Sequence, residues 1–113
     1  MRPERLYLQD IIDAADSVAS FVAGIDRQRF VDDDLLRSAV LHKLTVVGEA
    51  AGRLSAETRA ANPAVPWPDV VGFRNIAVHA YFAVDWAIVW MTATHDLPAV
   101  RSAAVRMLAS SGA

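Results

Sequence analysis

The chain has 113 residues, 54 % of them hydrophobic and 21 % charged, with a formal net charge of −2 and no cysteine. That is the length of one domain, residues 1–113, and its composition is too apolar for intrinsic disorder. The missing cysteine excludes a disulfide scaffold, a thiolate zinc site and a cysteine nucleophile and fits a reducing cytoplasm, while the near-neutral charge argues against a strongly basic nucleic-acid binder.

The apolar share exceeds the roughly 45–50 % of an average globular domain, which suggests a face buried in an oligomer. The opening MRPERLYLQD lacks the apolar core of a signal peptide. The longest apolar stretch, Ala77 to Ala93, is broken by His79 and Asp85. It falls short of the roughly 20 apolar residues of a membrane span. A cytoplasmic protein with no membrane partner is the expectation. Charge is unevenly spread: residues 1–34 hold four bases against eight acids, and residues 35–113 hold seven against five. A local basic groove in the second part is compatible with this.

In chain order, every long periodic segment reads as helix. Leu8, Ile11, Ile12, Ala15, Val18, Ala19 and Val22 form one apolar stripe, predicting a helix from about Pro3 to Ala23 that Gly24 ends. Residues 26–31 suit a single helical turn. Asp32 and Asp33 offer N-caps to a second long helix reaching about Leu54, with Leu36, Val40, Leu44, Val47, Ala51 and Leu54 as its stripe. Ser55 caps a short helix, Asn62-Pro63 stops it, and Pro66-Trp67-Pro68 makes a turn. Pro68 opens a third helix over 68–79. The tract Ala80 to Val84 reads as a break, with Asp85 as the next N-cap. Residues 86–94 are apolar almost all round, the mark of a helix in a core or an interface. Pro98 is expected to interrupt it before a last helix carrying Leu97, Val100, Ala104 and Leu108. The fold class is all-α, an antiparallel four-helix bundle with short extra helices that dimerises.

Few residues carry chemistry. His42 and His95 stand alone and belong to no metal-binding spacing. Asp32-Asp33-Asp34 reads as a solvated helix start. Glu49 and Arg53 are four apart and can pair on a helix surface. Gly48 and Gly52 sit inside a helix at about 1 kcal/mol each relative to alanine, so something must offset the cost. Tight packing within the bundle and a dimer contact explain them equally well.

The informative segment is Phe73-Arg74-Asn75-Ile76-Ala77-Val78-His79-Ala80-Tyr81-Phe82. It sets arginine, asparagine, histidine and tyrosine in an apolar tract, where unpaired polar groups are costly, so they form a structural network, the commoner case by chemistry alone, or an active site. Asn75 and His79 share a helix face. Arg74 and His79 are about 140° apart around the helix and about 7.5 Å along it. A histidine titrating near neutrality and an arginine able to grip two phosphate oxygens suit phosphodiester cleavage without a metal. One histidine per chain is few for a reaction needing base and acid; two subunits would supply both.

Arg74-Asn75-x3-His79-Ala80-Tyr81 resembles the R-x4-H-x-Y motif of the HepT-like toxins of the HEPN superfamily. Tyr7-Leu8-Gln9-Asp10-Ile11, Gly48-Glu49-Ala50-Ala51, Val65-Pro66-Trp67 and Phe82-Ala83-Val84-Asp85 resemble the same family in the same order. The resemblance implies an all-α dimer with the motif at a cleft between subunits. It implies a metal-independent endoribonuclease toxin that needs no cofactor, with Arg74 and His79 as catalytic pair and Asn75 in support. Tyr81 would receive AMP from a partner, an MntA-like minimal nucleotidyltransferase antitoxin. The alternative is a non-catalytic adaptor subunit of a nucleotidyltransferase. Ala80 departs from the family, where glycine is common.

Overall fold

The computed structural model describes residues 2–79 and 85–111. Among these, every regular element is helical. Helix α1 spans Glu4–Val22, α2 Arg27–Asp32, α3 Asp34–Gly52, α4 Ala56–Ala60, α5 Trp67–His79, α6 Trp86–Met91 and α7 Leu97–Ser111, with a π-helical segment over Thr92–Asp96.

The helix starts follow capping chemistry. The side chain of Asp26 accepts from the Arg29 amide, Asp33 from Leu36, and Ser55 from Thr58. Asp85 accepts from Ala87 and Ile88. Each cap satisfies an amide that the first helical turn leaves without a partner. Pro3 precedes α1 in extended conformation, and Gly24 follows it at φ 74°, where a side chain would be strained. Pro68 is the second residue of α5 rather than its first. It still lies in the turn where a missing N–H costs nothing.

Pro98 behaves differently from expectation. It does not separate two helices: α6, the π-helical segment and α7 run on without a gap from Trp86 to Ser111. A proline ring clashes with the carbonyl four residues back in an α-helix. The wider π turn lies directly ahead of it, and the Leu97 amide donates to Thr92 O, five residues back.

Helix α1 lies against α3 on one side and α7 on the other, and α3 carries α5. Leu8, Ile11, Val18, Val40, Leu44, Val47 and Leu97 fill the space between them and are all nearly inaccessible. Of the predicted α1 stripe, Ala19 is exposed and Val22 half-buried, so burial fades toward that end. The short α2 is anchored by Phe30, fully buried against Trp86 and Trp90 with ring centroids 6.3 and 5.4 Å away. Arg37 lays its guanidinium over Trp86 at 4.9 Å and donates to Val31 O. At the other end, the Glu4 carboxylate accepts from the Thr58 hydroxyl at 2.6 Å and from the Ser55 amide. Those two bonds, the Thr58 one foremost, hold its carboxyl below the usual range, tying α4 to the start of α1. The Trp67 indole N–H reaches Arg59 O and Asn62 O. This closes the turn that delivers the chain into α5.

Candidate active site

The segment with chemical promise occupies the second half of α5. Arg74 stands on the face turned toward α3, and the reason lies in α3 itself. A Cβ on Gly48 would fall 2.6 Å from the Arg74 backbone nitrogen and 3.0 Å from Val71 O. Only hydrogen fits there. A Cβ on Gly52 would meet Arg74 Nη1 at 3.3 Å. The two glycines thus let α5 lie directly on the α3 backbone at Arg74. This answers the question their spacing posed: they serve packing within the chain, between α3 and α5.

The guanidinium of Arg74 then runs along α3 to Glu49, with Nη1 3.8 Å from Oε1. Both side chains stay about half exposed, 42 % and 52 %. So the pair is loose and solvated, worth little as a stabilising contact. Its effect is directional: it points an arginine's donors along the protein surface while leaving them open to a ligand. Glu49 pairs here with Arg74; no ion pair between Glu49 and Arg53 occurs among the described residues.

Asn75 is exposed, beside Arg74 but on a neighbouring face. His79 is the last residue of α5, four positions beyond Asn75. Arg74, Asn75 and His79 thus belong to one helix, with Arg74 packed against α3. Tyr81 and the break from Ala80 to Val84 lie outside the described residues. His42 and His95 are both exposed and remote in chain position from this helix.

A cleft of about 470 Å³ opens between α1 and α3 on the Glu49 side. Tyr7 and Asp10 from α1 and Thr45, Glu49 and Arg53 from α3 line it. Arg2 stacks its guanidinium on the Tyr7 ring at 4.8 Å and pairs with Asp10. The sequence carries only a faint signal for this meeting of Tyr7 and Glu49: each lies beside an apolar stripe of its helix, and nothing local pairs the two.

Among the described residues the chain is an all-helical domain that carries an arginine and a histidine five apart on one helix. The comparison with known proteins is specific. The HepT-like ribonuclease family matches residues 11–107, and the chain belongs to that family. A protein of Methanocaldococcus jannaschii, named by inference an RNase, is 34 % identical over 88 % of this chain and 92 % of its own length. One from Caldanaerobacter subterraneus, named in the same way, is 34 % identical over 87 % and 88 %. The "Probable ribonuclease HepT" of Thermococcus cleftensis is 30 % identical over 88 % and 91 %. No solved structure matches the chain.

The glycine contacts separate two variants. Gly48→Ala meets backbone atoms that cannot rotate away, so it should destabilise the fold by about 1–3 kcal/mol, the usual cost of overpacking. Gly52→Ala meets only the end of a flexible side chain. It should leave the melting temperature unchanged or higher, since alanine favours the helix, while displacing Arg74. Thermal denaturation by circular dichroism of the two variants checks this order.

Proposed function

We propose that the protein is a metal-independent endoribonuclease in which Arg74 binds the scissile phosphate and His79 moves the proton. The observation that carries this reading is Arg74 itself, fixed by a glycine-lined contact and aimed by Glu49 yet half exposed, in a chain of the HepT-like ribonuclease family. A guanidinium remains charged at all working pH values and can give two parallel hydrogen bonds to phosphate oxygens. It thereby stabilises the charge that builds on phosphorus in the transition state. An imidazole with an ordinary pKa near 6.5 exists in both forms at neutral pH. The 2′-hydroxyl of RNA is the nucleophile. It loses its proton to a neutral imidazole and attacks phosphorus. The bond to the 5′ oxygen breaks, and an imidazolium returns a proton to that oxygen. DNA, lacking the hydroxyl, is spared. Asn75 supports the site as a neutral hydrogen-bonding group.

One His79 per chain supplies one of the two forms the reaction uses, so a pair of chains makes the complete centre. Apolar side chains support this: Ile88 and Met91, one turn apart on α6, are 61 % and 51 % exposed. Helix α6 carries its buried side chain, Val89, on the opposite face. In the cell the protein acts as the toxin of a pair whose antitoxin is an MntA-like nucleotidyltransferase. That enzyme transfers AMP to the Tyr81 hydroxyl. Tyr81 follows His79 by two residues. The AMP adds a phosphodiester charge, and two like charges about 5 Å apart repel by roughly 3 kcal/mol at an effective dielectric near 20. That weakens RNA binding on the order of 100-fold.

Three outcomes are expected. In the presence of EDTA the wild type cleaves RNA, and His79→Ala and Arg74→Ala each lose about 10²-fold or more in rate while melting like the wild type. Equal cleavage by wild type and His79→Ala would overturn the assignment. Wild type that neither cleaves RNA nor inhibits growth would favour a non-catalytic adaptor.

Sedimentation at micromolar concentration shows a dimer or larger species, and Met91→Asp shifts it toward the monomer. Incubated with a minimal nucleotidyltransferase, ATP and magnesium, the protein gains the mass of AMP, and Tyr81→Phe does not. The same gain on Tyr81→Phe would place the modification elsewhere.

A further inference from the structure

The cleft between α1 and α3 is not explained by phosphate chemistry. Its charged lining is two carboxylates, Asp10 and Glu49, against one cation, Arg53, a balance that disfavours a phosphate. It nevertheless adjoins the phosphate-binding arginine directly, because Glu49 lies in the cleft wall and also pairs with Arg74. An RNA strand with a phosphate on Arg74 would carry a nucleoside to the edge of this cleft.

We infer that this cleft is a nucleobase subsite, in which Glu49 accepts a hydrogen bond from a base bearing an exocyclic amino group. The inference rests on the ribonuclease reading above. An ionised carboxylate only accepts hydrogen bonds. Cytosine, adenine and guanine each offer it an amino group; uracil offers two carbonyl oxygens, which it repels, and a single ring N–H. Tyr7 borders the site, with one face of its ring already covered by the Arg2 guanidinium 4.8 Å above it. Arg2 also pairs with Asp10, which leaves Glu49 as the carboxylate available to the base. The ion pair of Glu49 to Arg74 is made through Oε1, and a carboxylate has a second oxygen to offer. Glu49 would then act on both halves of one nucleotide, aiming the arginine that holds the phosphate and reading the base beside it.

The test needs no cleavage. Wild type, Glu49→Gln and Arg74→Ala are titrated with 3′-CMP, 3′-AMP, 3′-GMP and 3′-UMP by calorimetry, and amide shifts are followed by NMR. Wild type is expected to bind at least one amino-bearing nucleotide about tenfold more tightly than 3′-UMP, the scale of one good base contact. The shifts should centre on Tyr7, Thr45 and Glu49. Glu49→Gln, whose amide both donates and accepts, should erase the preference. Arg74→Ala should weaken all four nucleotides equally and keep it. Equal affinity for all four nucleotides in the wild type would overturn the subsite. So would a uniform loss in Glu49→Gln, which would reduce Glu49 to a positioning residue for Arg74. A base preference in a protein that cleaves no RNA would refute the ribonuclease reading and leave the subsite standing.

Discussion

The approach of α5 to the α3 backbone at Gly48 is the constraint on which the rest depends. A side-chain carbon there would sit 2.6 Å from the Arg74 nitrogen, far inside contact distance. Close-packed interiors transmit such misfits, because there is little free volume to absorb them. The contact therefore sets where α5 lies, and so where Arg74, Asn75 and His79 are presented. It also brings the α5 arginine within reach of Glu49, the residue directly after the glycine. Gly52 ends α3, but Gly48 lies inside it, where a glycine ordinarily costs about 1 kcal/mol. Here the loss is offset by a helix–helix contact that alanine would prevent at Gly48.

In the proposed site the arginine is held at its backbone and solvated at its guanidinium. Arg74 is braced at its backbone, yet its guanidinium and its partner Glu49 remain half exposed. A fully buried pair would have been costly to desolvate and hard to open for a ligand. A free surface arginine would have lost side-chain entropy on every binding event. The loose pair lies between these extremes. The remaining helices serve this arrangement indirectly. Phe30 and the tryptophans of α6 fasten α2, Glu4 fastens α4, and Trp67 fastens the turn that sets the start of α5.

Composition and periodicity were good guides to the helices because each has a local cause. Asp26, Asp33, Ser55 and Asp85 act as N-caps within a few residues of themselves, and the stripes of α1 and α3 repeat every three or four positions. Pro98 shows where a local rule misleads. A proline is read as a helix stop because an α-helix cannot accommodate its ring. The chain instead widened one stretch, Thr92–Asp96, into a π turn and continued. Nothing in the residues around it announces that choice, which depends on burying Val89, Ala93 and Leu97 against the same core.

By itself, then, the sequence determined an all-helical domain, the places where most helices begin, and the arginine, asparagine and histidine carried on one helix. These follow from side-chain preferences acting over a turn or two. Only the tertiary structure decided what Gly48 and Gly52 are for, which of two cations Glu49 meets, and that Tyr7 and Asp10 face Glu49 across a cleft. Residues 7, 49 and 74 are far apart along the chain. Their meeting depends on the interlocking of α1, α3 and α5, and a packed core settles it by shape, which a one-dimensional pattern does not encode.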